Sequence, residues 1–132
     1  MARGGPQGLG SAPPQLVWTI VRGDTARFKA YVTDDAKVAL NIPDWTIDME
    51  IKRPANAADL GTITDNATIV LTLTPEADED DLPGEFTVKL TAIESAQLQT
   101  GDIFDIELRS LMDEYVWTVA QGSITVIEDV TN

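Results

Sequence analysis

From residue 15 onward the chain is a series of short runs in which apolar and polar positions alternate, the period of two that belongs to strands. Leu16, Trp18 and Ile20 alternate with Val17, Thr19 and Val21, so both sides of this first run are apolar and a strand covered on both faces is expected. Arg22-Gly23-Asp24 breaks the run where a hairpin tip is expected. Ala26, Phe28, Ala30 and Val32 then share one face opposite Arg27, Lys29, Tyr31 and Thr33, the pattern of a half-buried antiparallel strand. Asp34 to Lys37 reads as a turn.

The clearest run follows Pro43: Trp45, Ile47, Met49 and Ile51 oppose Thr46, Asp48, Glu50 and Lys52. These four apolar residues are predicted to form a core face. Ala67, Ile69, Leu71 and Leu73 give the next strand, stopped by Pro75. Phe86, Val88 and Leu90 form another face, and Phe104, Ile106 and Leu108 another, against Asp105, Glu107 and Arg109. Tyr115 to Val119 and Ser123 to Ile127 read as two further segments separated at Gln121-Gly122, with a bulge or bend at the glycine. Helix is signalled once. Thr91 and Glu94 have capping-box spacing, and Gly101 ends a short stretch of helix formers. Seven to eight short strands and almost no helix predict an all-β fold, a single immunoglobulin-like antiparallel β-sandwich over residues 15–132.

Residues 1–14 break this pattern. MARGGPQGLGSAPP is rich in glycine and proline, and Leu9 is its one sizeable apolar side chain after Met1. Such a stretch cannot bury enough surface to order itself, so it is expected to be a flexible amino-terminal arm that extends across a neighbouring subunit.

Composition narrows the chemistry. The 132 residues contain no cysteine and no histidine, which removes thiolate and imidazole nucleophiles, bases and metal ligands together. Nine basic residues face 22 acidic ones, a formal charge of −13, and the basic residues are scattered. Phosphate backbones are bound by clustered Lys and Arg, so nucleic acid is not an expected partner. No apolar run is long enough for a membrane span or a signal-peptide core, and synthesis in the cytoplasm without membrane contact is expected.

Three features could carry chemistry, and each has an ordinary explanation. Arg22-Gly23-Asp24 spells an integrin-type adhesion tripeptide, but glycine and aspartate are what a tight turn needs. Glu76, Asp78, Glu79, Asp80 and Asp81 supply oxygen ligands without the alternating spacing of a calcium loop, so a solvated acidic loop is expected and no metal site. Asp44, Asp48, Glu50, Asp105 and Glu107 could provide the carboxylate pair of a glycoside hydrolase, yet none stands out from ordinary solvent-facing strand charges. No catalytic residue and no cofactor is therefore predicted. Among the tryptophans, Trp18 and Trp45 fit a core, whereas Trp117 with Tyr115, Val116 and Val119 makes both faces of its strand apolar, as in a strand covered by another subunit.

Two stretches carry a resemblance. Val21 to Phe28 (VRGDTARF) resembles the opening hairpin of small β-sandwich proteins of tailed bacteriophages and of the amino-terminal domain of the phage baseplate upper protein. Leu90 to Leu108 (LTAIESAQLQTGDIFDIEL), with Gly122 to Val126 (GSITV), is similar to the helical turn and glycine-led strands of that group. The resemblance implies a virion structural protein, a capsid decoration (cement) protein or a tail or baseplate adaptor. Its implied partners are other virion proteins, major capsid or tail subunits, with the chain itself multicopy or homo-oligomeric. The expected subunit interface comprises Leu9, Pro13, Pro14, Tyr115, Trp117 and Val119. A carbohydrate-binding or host-adhesion module is the competing expectation, and exposure of the three tryptophans separates the two.

Overall fold

The computed structural model describes residues 14–33, 37–77, 81–111 and 115–128. They form seven strands: β1 (Gln15–Val21), β2 (Ala26–Tyr31), β3 (Trp45–Arg53), β4 (Thr68–Leu73), β5 (Glu85–Leu90), β6 (Ile103–Ser110) and β7 (Val116–Ile127). A single α-helical turn, α1 (Ala92–Ala96), follows β5. One sheet has the order β1-β7-β6-β3-β4 and the other pairs β2 with β5. The run β4-β3-β6-β7 facing a β2-β5 pair is the strand arrangement of an immunoglobulin-like sandwich.

The alternation read from sequence becomes the core. Ile47, Met49 and Ile51 of β3, Phe104, Ile106 and Leu108 of β6, and Phe86, Val88 and Leu90 of β5 are buried together between the sheets. Each large side chain so buried contributes about 1.5–3 kcal/mol. Trp45 packs at the margin of this cluster, half-buried. Trp18 bridges the two sheets, its ring edge-on to Phe28 with centroids 4.7 Å apart.

Several expectations are corrected by the topology. The sheet is not wholly antiparallel: β1 runs parallel to β7, Gln15 opposite Gln121 through Val21 opposite Ile127. Arg22-Gly23-Asp24 is therefore not a hairpin tip but the crossing from one sheet to the other. β1 is an edge strand whose outer face, at Val17 and Thr19, is exposed rather than covered. The two carboxy-terminal segments form one continuous strand, β7. Its bulge lies at Val119: Ala120 pairs with Ile106 and Thr118 with Glu107, leaving Val119 as the extra residue. Gly122 serves a different purpose. A Cβ there would lie 1.8 Å from the Leu16 carbonyl oxygen, so only glycine lets β1 pack onto β7 at this point. A second bulge, at Val70 between the Ile51–Leu71 and Lys52–Ile69 pairs, turns Ile69 outward. Ile69 is accordingly 57% exposed and not a core residue.

Candidate interaction surface

The two ends of the sandwich are built differently. At the end where β1 finishes, a dense polar network closes the structure. Thr91 and Glu94 form the capping box predicted from their spacing, Thr91 Oγ1 accepting from the Glu94 amide and Glu94 Oε1 from the Thr91 amide. The capped turn places Ser95, fully buried, against the Arg22–Asp24 crossing: its hydroxyl accepts from the Gly23 amide (3.1 Å) and donates to the Asp24 carbonyl (2.7 Å). Arg22 donates to the Ala96 and Leu98 carbonyls and pairs with Glu128. Arg53, at the end of β3, grips Asp102 through two parallel bonds, Nε to Oδ1 at 2.8 Å and Nη2 to Oδ2 at 2.9 Å. Asp102 is 1% exposed and also accepts from the Gln99 amide. That bond to Asp102 is the main cause of a guanidinium pKa raised above its ordinary value. The Arg22 guanidinium and the Gly23 and Asp24 backbone are thus engaged by the domain's own contacts.

The opposite end, where β1 begins, has two strand edges without a neighbouring strand among the described residues. Strand directions place there the entry at Pro14 and the described residues 32–33, 37–44, 74–77, 81–84, 111 and 115. The central strands project past the edge strands on both sides. β1 pairs with β7 only from Gln121 onward, its ladder beginning where the Pro14 carbonyl accepts from the Gln121 amide at 3.2 Å. Val116–Ala120 consequently has β6 on one side and no strand of the described residues on the other. β4 pairs with β3 only from Met49 to Arg53, because the chain leaves the sheet after Leu73 and crosses to β5, where the Glu76 carbonyl accepts from the Thr87 amide. Trp45–Asp48 likewise has β6 as its only neighbouring strand among the described residues. These are two strand-edge notches, one at Trp117 and one at Trp45.

The expected interface residues divide between this end and other places. Pro14 is exposed at the mouth of the first notch, Tyr115 sits half-buried where its carbonyl accepts from the Ser110 amide, and Trp117 is half-buried on the notched part of β7. Trp117 pairs with Leu108 and packs on the core, and Val119 packs there too, brought inward by the bulge. The apolar character of both faces of this strand therefore comes from a bulge as well as from exposure at Val116. Leu9 and Pro13 lie outside the described residues. The second notch was not foreseen. It opens into a groove of about 450 Å³ lined by Pro43, Trp45, Asp48, Pro75 and Glu76 among others; the only sequence signal for it is the early stop of β4 at Pro75.

The acidic residues also separate. Asp81 is no solvated loop residue: its side chain is fully buried, 2.9 Å from Lys29 Nζ and accepting from Thr87 Oγ1 at 3.0 Å. Asp78, Glu79 and Asp80 lie outside the described residues, and no metal-holding cluster occurs among the described ones. On the outer face of the large sheet, Glu50 stands directly opposite Asp105 and Asp48 opposite Glu107. Lys52 pairs with Glu50 at 3.4 Å. Burial, and secondarily Glu50, raise the Asp105 pKa against the opposing pull of Lys52. Asp44 is apart, at the end where β1 begins, its carbonyl accepting from the Leu111 amide.

No protein-family model matches the chain, and no curated protein matches it. Among solved structures, it is similar to the natural killer cell receptor NKp44, described as a triggering partner in natural cytotoxicity. The identity is 17% over 86% of this chain and 99% of that one, with a TM-score of 0.44.

Proposed function

We propose that the chain is a non-enzymatic virion subunit of a tailed bacteriophage, a capsid decoration protein or a tail or baseplate adaptor. In this reading it binds neighbouring subunits through the end of its sandwich where β1 begins. The observation that carries the binding role is the pair of strand edges, at Val116–Ala120 and Trp45–Asp48, that have no partner strand among the described residues. Strand edges of this kind add an extended segment of a partner. The phage context comes from the resemblance of Val21 to Phe28 and Leu90 to Leu108. An acidic protein of charge −13 suits the outside of a particle whose packaged genome would repel it.

The tryptophans favour this reading over glycan binding. Trp18, Trp45 and Trp117 each pack against the core and are half-buried, so none stands as a fully exposed stacking platform. The direct test is imaging of purified virions with the subunit located. Regular external density that disappears on deletion of the gene is expected, and absence of the chain from purified particles would overturn the reading.

A further inference from the structure

Free strand edges are ordinarily guarded by a charge, a proline or a bulge. β2 carries Arg27 and Lys29, β5 carries Glu85 and Lys89, β4 is bulged at Val70, and the two notches contain Asp48 and the Val119 bulge. The outer edge of β1 has none of these. Its sequence, QLVWTIV, is without charge, proline or glycine, and all seven residues pair with β7 without a shift of register. Val17 to Val21 are all β-branched or aromatic, the residue types that favour an extended chain. The two ends of the strand fix the direction of its backbone groups. The Gln121 amide donates to the Pro14 carbonyl and the Arg22 amide to the Ile127 carbonyl. Successive peptide groups of a strand point to opposite edges, so the even-numbered residues of β1 face β7 and the odd-numbered ones face away. The Val21 carbonyl accepts from the Asp24 amide. The N–H and C=O of Gln15, Val17 and Thr19 are left pointing out of the sheet, with no partner among the described residues.

We propose that this edge pairs with the same edge of a second copy, antiparallel about a two-fold axis at Val17, so that the two five-stranded sheets become one. The axis is selected by the free groups. With it, Val17 faces its own counterpart and Gln15 faces the counterpart of Thr19, and each such pair exchanges two hydrogen bonds, so every free N–H and C=O finds a partner. Moving the axis by one residue sets Gln15 opposite Val21, whose carbonyl is already taken, or Thr19 opposite Pro13, which has no N–H to give. Side chains agree with the same register. On the side toward the small sheet, Leu16, 40% exposed, comes beside the second copy's Trp18; on the other side Val17, 68% exposed, meets its counterpart. Charge favours this meeting place as well. Copies of a chain with net charge −13 repel one another, and β1 lets them touch along a regular strand that carries no charge. β4 is also uncharged, but its bulge interrupts the run of outward groups that a partner strand needs. Because the edge pairs with itself, the contact is isologous and closes at a dimer. It lies apart from the two notches and does not rest on the virion reading.

The test is sedimentation velocity of the full chain over about two decades of concentration, reaching the high micromolar range that a contact of one strand pair calls for. The unaltered chain is expected to pass from monomer to dimer. Val17→Pro removes an N–H that faces outward, so it spares the β7 ladder and should weaken dimerisation by about tenfold or more. Val17→Lys and Val17→Glu each set like charges face to face across the axis and should weaken it similarly. An equimolar mixture of these two should dimerise about tenfold more tightly than either alone, because the axis then sets Lys against Glu. An unaltered chain that stays monomeric, assembly that continues beyond the dimer, single variants that associate like the parent, or a mixture no tighter than its components would each overturn the proposal. Thermal melts check that each variant folds, and Val17 is outside the core. Hydrogen exchange of the unaltered chain gives a second readout that needs no variant. The Val17 and Thr19 amides should be protected at high concentration and exchange freely at low concentration, and equal exchange at both would also overturn the pairing. Absence of the chain from virions would count against the phage role and leave this contact standing.

Discussion

At the scale of single residues, the strongest constraint is the Arg53–Asp102 pair. Asp102 is buried with three hydrogen bonds to its carboxylate, two of them from one guanidinium. Removing Arg53 leaves a buried charge with a single amide for company. Arg53→Met should cost about 3–5 kcal/mol in urea denaturation, and adding Asp102→Asn to it should recover part of that loss. Arg53→Lys should not rescue, because an ammonium cannot reproduce the two parallel bonds. Asp105 works in the opposite direction. Its carboxyl is half-buried, faces Glu50, Lys52 and Asp48 from β3, shares β6 with Glu107, and lines a depression with Asp65 from the 54–67 connection. A carboxyl whose folded pKa is raised binds its proton more tightly in the folded state. Stability therefore rises as pH falls through the raised value, and the gain is complete below the unfolded pKa of about 3.9. Asp105→Asn should stabilise the protein near neutral pH by a few tenths to about 1 kcal/mol, the scale of a like-charge cross-strand pair. That advantage should vanish below about pH 4. An advantage independent of pH would show that electrostatics is not its source.

At the scale of elements, what sequence revealed and what it hid have the same physical origin. Strand alternation reports which residues share a face, and it located β3, β5 and β6 with their buried residues because the bulged residues lie on their partner strands β4 and β7 and not on them. The capping box at Thr91 and Glu94 was legible because it is local in sequence. Bulges are not: the extra residues Val70 and Val119 are set by the partner strand's register, and each shifts the phase of everything beyond it. For that reason the alternation puts Ile69 on one face with Leu71 and Leu73, from which the bulge turns it away, and Val119 at an expected interface although it packs on the core. The parallel pairing of β1 was hidden too, since its partner lies at the far end of the chain, and so was the groove at Trp45, which exists only because β4 ends early. Gly122 is the residue through which the hidden pairing can be tested. Gly122→Ala puts a methyl group onto the Leu16 backbone, which cannot yield as a flexible side chain would. β1 should be displaced while the other strands keep their pairing. Hydrogen exchange should show loss of protection confined to residues 15–21 and their β7 partners, whereas protection unchanged from the parent would mean that β1 does not pack there as described.

At the scale of the whole molecule, fold and function separate along the chain. The buried core of the described residues runs from Ile20 to Ile124, and residues 1–13 lie outside them. Fixing the backbone of each residue of that stretch costs about 1–2 kcal/mol, and the segment has little apolar surface to offset this by itself. If its contacts are made in an assembly, the cost is met there and the isolated domain does not depend on it. Deleting residues 1–13 should therefore change the unfolding free energy of the isolated chain by less than about 1 kcal/mol while sharply reducing incorporation into particles. The two measurements belong together, because each guards the interpretation of the other. Unimpaired incorporation would remove residues 1–13 from the attachment surface and leave the free strand edges as its seat. A large fall in stability would mean instead that the segment completes its own domain, an outcome seen first as lost protection along β1; incorporation lost at unchanged stability is the result that the free strand edges of the sandwich lead us to expect.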